Sequence, residues 1–242
     1  MLEKFSLNHV HPSWLPILSK AIQAVDSSYL KELLQTPNWL PGKQKIFNAF
    51  SLPLNQTKYI LFGESPYPRA SSANGYAFWD QAVTNLWSPS GFSREVNRAT
   101  SLRNLLKMLL LTRGDLTASD LSQMAIAELD KTYYIKTGNE LFTGFLQRGF
   151  LLLNASLVFH SAVEVKADAK AWLPFINALL QQLQQEDICL VMLGKIAASI
   201  SQLPYSAKFK QFIAEHPYNL SFIGNKKVQQ FFAPMDLLSL SE

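Results

Sequence analysis

Four short runs of apolar residues set the strongest limit on how this chain can fold. Each run is followed directly by polar or turn-forming residues, and none approaches the length of about 20 residues that a membrane-spanning helix needs. Uninterrupted apolar runs of this length are typical of strands covered on both faces, as in a parallel sheet. The predicted strands occupy residues 59–62, 150–153, 188–193 and 209–214.

Segments with the apolar spacing of helices accompany these strands. Apolar residues recur three or four positions apart in residues 13–34, 101–111 and 172–183. Alternating strands and helices predict an α/β fold of three layers, α/β/α, around a central four-stranded parallel sheet. The sequence contains no repeat and no linker rich in Gly, Ser and Pro, so we predict one domain over residues 1–242.

Polar side chains collect where the predicted strands end. In open α/β sheets, ligands bind outside the carboxyl ends of the strands. The sequence therefore predicts one cleft at that edge of the sheet. Its predicted lining residues are Glu64, Ser65, Tyr67, Asn154 and His216.

Three of the candidate side chains allow two interpretations each. The amide of Asn154 offers one acceptor and two donors, so it can read the edge of a pyrimidine or simply cap a turn. His216 can face a developing negative charge or lie in a surface turn. Phe78 can form a stacking platform for a base or belong to the core.

Composition limits the remaining classes. The 22 Lys and Arg residues outnumber the 18 Asp and Glu residues, which permits binding to nucleic acid without requiring it. Cys189 is the single cysteine, so intrachain disulfides and cysteine-held metal or iron–sulfur sites are excluded. We expect a reducing, cytoplasmic location, no signal peptide, no membrane association and no cofactor or metal. The patterns HExxH, GxSxG, Walker A and GxGxxG are all missing from the sequence.

The order and spacing of five motifs resemble those of the uracil-DNA glycosylase family. Gly-Glu-Ser-Pro-Tyr at residues 63–67 is similar to the family's Gly-Gln-Asp-Pro-Tyr-His motif. The sequence around the end of the second strand closely resembles Gln-Gly-Val-Leu-Leu-Leu-Asn, and His-Pro-Tyr-Asn-Leu-Ser resembles His-Pro-Ser-Pro-Leu-Ser. The matching segments are residues 63–67, 75–78, 101–105, 148–154 and 216–221. The resemblance begins at residues 46–50, and the core that contains the motifs spans roughly residues 46–232.

The resemblance implies an enzyme of base excision repair that flips uracil, or a related damaged base, out of single- or double-stranded DNA. Phe78 would stack on the flipped base, Asn154 would pair with its N3–H and O4, and Tyr67 would exclude the methyl group of thymine. His216 would donate to O2 as the base leaves, and Leu220 would fill the gap in the duplex. Phosphate contacts are implied for Ser101 and Ser221, and Arg103 could add another. The expected state is a monomer bound to DNA.

Ser65 is the main departure from the family pattern, because it stands where the family has the Asp that orients water. A serine hydroxyl is a poor base, and losing such a catalyst typically costs about 10²–10⁴ in rate. Glu64 is the nearest substitute carboxylate. A superfamily branch with Gly-Glu-Ala-Pro-Gly also lacks this Asp, but it holds an iron–sulfur cluster that one cysteine excludes. Tyr218-Asn219 replaces Ser-Pro in the last motif, and residues 81–98 exceed the family norm in length.

Two functions therefore remain open from the sequence. The first is a glycosylase in which Glu64 or Ser65 acts with His216. The second is a catalytically impaired DNA-binding or regulatory relative, which the loss of the Asp favours. An unrelated α/β hydrolase ranks last, because it would require the motif series to be a coincidence.

Overall fold

The structure is a computed structural model that describes residues 1–36 and 38–240. In that part of the chain the strands are β1 (Tyr59–Gly63), β2 (Trp87–Ser88), β3 (Gly91–Phe92), β4 (Phe150–Asn154), β5 (Cys189–Leu193) and β6 (Lys210–Ala214). The α-helices are α1 (Leu15–Gln23), α2 (Ser27–Gln35), α3 (Arg94–Arg98), α4 (Thr100–Arg113), α5 (Gln123–Glu128), α6 (Gly138–Gln147), α7 (Val165–Leu183), α8 (Ile196–Ser201), α9 (Ser221–Gly224) and α10 (Lys226–Phe232).

The chain forms two compact units. Among the described residues, the first unit comprises 1–80, 149–192 and 196–213, and the second comprises 81–148, 193–195 and 214–240. A single domain over residues 1–242 stays a prediction.

The first unit is built on a four-stranded sheet in the order β4-β1-β5-β6. β1 pairs in parallel with both β4 and β5, so it lies in the interior of the sheet. Its residues 60–63 are buried, as is all of β4, which explains why these strands read as continuous apolar runs. Helices flank the sheet, and α1 packs on α7. The predicted three-layer α/β/α fold with its four-stranded parallel sheet is confirmed.

Strand and helix positions follow the apolar pattern closely, with one clear difference. The four sheet strands lie within one residue of the predicted runs, whereas α7 begins at Val165 rather than at Trp172. In its first turns, residues 165–171, Asp168 is buried and the others are exposed or half-buried, so these turns have no continuous apolar stripe. Apolar periodicity therefore detected only the half of α7 whose side chains enter the core, which begins at Trp172.

The second unit is organised around α4. This helix packs against α3, α9 and α10, and five of its leucines are buried. The long segment 81–98 forms the short antiparallel hairpin β2–β3 and then α3. Phe92 in β3 stacks on Trp87 in β2 with ring centroids 5.5 Å apart, and α5 packs against β3.

Candidate functional site

Asn154 ends the buried strand β4, and its side chain lies against the neighbouring strand. It is 4% exposed and sits in register with Gly63, the last residue of β1. A Cβ on residue 63 would stand only 2.4 Å from the Asn154 Oδ1 atom and 2.9 Å from the Ala77 Cβ atom. Within the described chain, no protein group hydrogen-bonds the Asn154 amide. A buried amide without a protein partner can bind water or the edge of a planar polar ligand.

Tyr67 and Phe78 form the second part of this arrangement. The Tyr67 hydroxyl donates to the Phe78 carbonyl at 3.1 Å, and the Ala77 N–H donates to Leu152 of β4 at 3.0 Å. Phe78 has a φ of 63°, in the left-handed region, which costs an aromatic residue roughly 1–3 kcal/mol. Burial raises the pKa of the Tyr67 phenol, so its hydroxyl stays protonated and keeps donating. Phe78 is a half-buried aromatic residue with an unusual backbone conformation beside a strand end, and its role in stacking stays a prediction.

Glu64 and Ser65 follow β1 directly. The Glu64 carbonyl accepts from the Ser156 N–H at 3.0 Å, which ties this turn to the residues after β4. The Glu64 side chain is exposed, and its carboxylate has no hydrogen bond or ion pair within the described chain, whereas Ser65 is half-buried. Glu64 is therefore a hydrated carboxylate, available to orient water, and Ser65 supplies only a neutral hydroxyl.

The imidazole of His216, in the second unit, is oriented by its own loop. The Tyr218 N–H donates to the His216 Nδ1 atom at 3.1 Å, and the Asn219 N–H donates to the His216 carbonyl at 2.9 Å. Since Nδ1 accepts, the neutral ring carries its proton on Nε2. Gly194 permits the close approach of this residue, because a Cβ there would stand 2.7 Å from the His216 Cβ atom. The Nε2 atom of His216 can therefore donate to an acceptor that carries negative charge.

Two side chains of the second unit anchor the loop that contains His216 and Leu220. Buried Asn104 of α4 donates through Nδ2 to the carbonyls of Pro217 at 2.8 Å and Tyr218 at 3.3 Å. At the other end, the Glu215 carboxylate accepts from the hydroxyl of Ser221 and from the amide of Asn225. The loop is therefore rigid in its backbone, while the side chain of Leu220 is 74% exposed.

The predicted phosphate contacts occupy the same unit. Ser101 lies half-buried in the first turn of α4, where backbone N–H groups favour anions. Arg103 donates to the Asn97 carbonyl at 2.8 Å, and its remaining N–H groups can serve a phosphate. Ser221 is exposed, and its hydroxyl donates to Glu215. Phosphate binding by these three residues stays a prediction.

The first unit thus brings Glu64, Ser65, Tyr67, Phe78 and Asn154 together, and the second collects His216, Leu220, Ser221, Ser101 and Arg103. The sequence did not single out Asn104, Gly63 or Glu215 as functional. A signal was present for Asn104, because it is the polar residue within a leucine-rich helix that is otherwise buried at positions 102, 105 and 106. The other two are revealed only by tertiary contacts.

The described residues contain neither a candidate metal-ligating group nor a candidate membrane span. No group of three or more His, Cys, Asp or Glu side chains in residues 1–36 and 38–240 is placed to hold a metal ion. Over the same residues, no helix combines the length and apolarity needed to cross a membrane.

Comparison with known proteins identifies the family of this chain. Residues 51–235 match the uracil DNA glycosylase superfamily. The wild-type UNG crystal structure from Nitratifractor salsuginis is 43% identical, has a TM-score of 0.95, and the match covers 99% of this chain and 96% of that one. The uracil-DNA glycosylase of Leuconostoc citreum is 26% identical over 238 residues, with 91% of this chain and 92% of the relative covered. The mimivirus uracil-DNA glycosylase, at 16% identity and a TM-score of 0.54, covers 88% of this chain and 72% of its own and shares the fold. With more than half of its length matched by the family and a relative this similar, the chain belongs to the uracil DNA glycosylase superfamily.

Proposed function

We propose that this protein hydrolyses the N-glycosidic bond of uracil in DNA and releases the free base. The observation that carries the proposal is the Asn154 amide, which is buried at the end of β4 and has no hydrogen-bond partner in the described chain. An amide of this kind accepts from uracil N3–H and donates to O4. The same pair of bonds would fit cytosine badly, since cytosine presents an acceptor at N3 and a donor at C4.

The remaining roles follow from the geometry of each unit. Phe78 stacks on the flipped base, and the Tyr67 ring, fixed through its hydroxyl, crowds C5 and rejects thymine. His216 donates from Nε2 to O2 while the glycosidic bond breaks and negative charge collects on the base. Water adds to the electron-poor sugar carbon, and the proton that it loses passes through solvent to the uracil anion, so that an abasic site and free uracil remain. Leu220 occupies the gap in the duplex, and Ser101, Arg103 and Ser221 bind the backbone.

The water-activating group is the weakest part of this machinery. Ser65 cannot hold a proton taken from water, and Glu64 supplies the one carboxylate of the motif. We propose that the enzyme works slowly through His216, with Glu64 orienting the attacking water. We further propose that it acts as a monomer, in the cytoplasm. A catalytically impaired DNA-binding relative is the second candidate, and the serine at position 65 favours it.

Base release decides between these candidates. Single- and double-stranded oligonucleotides carrying one uracil would be incubated with excess protein, with thymine oligonucleotides as the control. We expect slow release by the wild type, none by Asn154→Ala, and a gain of about 10²-fold or more in Ser65→Asp. Glu64→Gln should release uracil more slowly than the wild type if Glu64 orients the water.

Each other outcome has a definite meaning. Release by Ser65→Asp alone would establish an intact pocket without a catalyst, and the DNA-binding relative would replace the enzyme. If the wild type, Ser65→Asp and Asn154→Ala were all silent, the proposal that uracil is the ligand would be wrong.

A further inference from the structure

Tyr218 is a large apolar side chain that the protein leaves in solvent. It is 67% exposed and lies two residues before Leu220, which is 74% exposed. Asn219 between them is also exposed. One short loop therefore presents two large side chains that are not packed in the protein core.

The backbone beneath the Tyr218 ring is fixed from both sides. Its N–H donates to the His216 Nδ1 atom, and its carbonyl accepts from buried Asn104. A ring carried on a rigid backbone loses little entropy on binding, since only its two side-chain torsions remain to be ordered. Exposed aromatic residues held in this way are anchors for a partner.

The surroundings of the ring indicate nucleic acid as that partner. Lys226 and Lys227 are exposed in the first turn of α10, directly after the loop and α9. The nearby Glu215 carboxylate is occupied by Ser221 and Asn225. Exposed cations that follow an exposed aromatic ring closely along the chain suit the phosphates and flat bases of a DNA strand.

We propose that the Tyr218 ring stacks on a DNA base next to the flipped nucleotide and forms, with Leu220, a two-residue wedge. The inference rests on the proposed function, because the flipped nucleotide is what creates an unstacked neighbour. Stacking by Tyr218 would also affect catalysis, because the Tyr218 N–H orients the His216 ring. Docking of the wedge and alignment of the donor to O2 are thus mechanically linked.

Stacking on a base requires the aromatic ring of Tyr218, whereas a contact with phosphate requires its hydroxyl. Tyr218→Phe keeps the ring and loses the hydroxyl, whereas Tyr218→Ser keeps a hydroxyl and loses the ring. Tyr218→Ala loses both. Tyr133→Ala is the matched control, because Tyr133 lies in the same unit and is 77% exposed.

The test measures binding and base stacking without requiring base release. Each protein would bind an oligonucleotide that carries a tetrahydrofuran abasic site, with the fluorescent base 2-aminopurine placed on either side of that site in turn. We expect Tyr218→Ala and Tyr218→Ser to bind roughly ten- to a hundredfold more weakly, with Tyr218→Phe and Tyr133→Ala within about twofold of the wild type. At one of the two positions, 2-aminopurine should be dimmer in the wild-type complex than in the Tyr218→Ala complex.

Three results would overturn the inference. One is equal affinity and equal 2-aminopurine emission for the wild type and Tyr218→Ala. Another is retention of affinity by Tyr218→Ser with loss in Tyr218→Phe, which would identify a phosphate contact. The third is a wild type that does not bind the abasic DNA. Failure to release uracil, with the binding pattern intact, would remove the proposed function alone.

Discussion

The Asn154 Oδ1 atom lies directly against the Cα of Gly63, so that any side chain at position 63 would occupy the space of the amide oxygen. The two residues end adjacent parallel strands and are register partners. Gly63 is thus required by the closeness of a neighbouring side chain rather than by its own backbone angles. The Asn154 amide and Gly63 therefore depend on each other for their placement.

Gly63→Ala should abolish most activity and also lower stability, because its Cβ would stand 2.9 Å from the Ala77 Cβ atom. The added methyl group would displace the Asn154 amide, and a misplacement of about 1 Å in an active site costs roughly 10²-fold in rate. Single-turnover uracil release measures the loss. Gly224→Ala is the control, since a Cβ at position 224 meets nothing within 4 Å. Wild-type rates in Gly63→Ala would mean that Asn154 does not read the base.

The sequence predicted the sheet well because the strands are buried on both faces. Burial on both faces is visible in the local sequence as an apolar run, which Gly63 or Asn154 follows directly. The motif residues could be placed at strand ends for the same reason. The family resemblance supplied their roles, and the structure adds the contacts that hold them.

Long-range contacts are not visible in the local sequence pattern. Tertiary packing determines the hydrogen bonds from Tyr67 to Phe78 and from Asn104 to Pro217. It also determines the hairpin in residues 81–98. His160 lies in the loop between β4 and α7. Nothing local showed that its Nδ1 pairs with the Asp168 carboxylate.

Tyr67→Phe separates the shape of the pocket from its rigidity. The ring remains and should still reject thymine, but the hydroxyl that holds the strained Phe78 carbonyl is lost. A hydrogen bond of this kind contributes about 0.5–1.5 kcal/mol, so we expect uracil release to slow by roughly three- to tenfold. Rates on uracil and thymine oligonucleotides check both statements. Measurable thymine release would show that the hydroxyl, and not the ring, sets the selectivity.

Asp168 is a buried carboxylate that stabilises the first unit. It is 2% exposed and accepts from the Tyr29 hydroxyl at 2.8 Å and the His160 N–H at 3.0 Å, with the His160 Nδ1 atom at 2.8 Å. Asp168→Ala leaves these donors unpaired, and we expect a loss of about 3 kcal/mol in the free energy of unfolding. Urea denaturation measures it, with the exposed Asp187→Ala as the control. An unchanged midpoint would show that the cluster contributes no net stability.

Asn104→Leu should impair catalysis on duplex DNA with little effect on stability. Leucine removes the donor to the Pro217 and Tyr218 carbonyls, which costs stability, and it also removes the buried Asn104 Oδ1 atom, which has no hydrogen-bond partner. The two effects oppose each other, so we expect a change within about 1 kcal/mol in the free energy of unfolding. The loosened loop should still slow uracil release from duplex DNA by roughly tenfold, because the wedge is no longer preorganised.

Single-stranded DNA and a second asparagine make this prediction specific to the loop. A single strand has no stacked gap to fill, so the rate of Asn104→Leu on it should stay closer to that of the wild type. Asn177→Leu is matched chemically, because the Asn177 Oδ1 atom is also buried without a partner, but it lies on α7 in the first unit. The Asn177→Leu variant, once folded, should release uracil from single-stranded and duplex DNA at the wild-type rate. Equal slowing of both substrates by Asn104→Leu would show that Asn104 supports the fold of α4 rather than the position of the wedge.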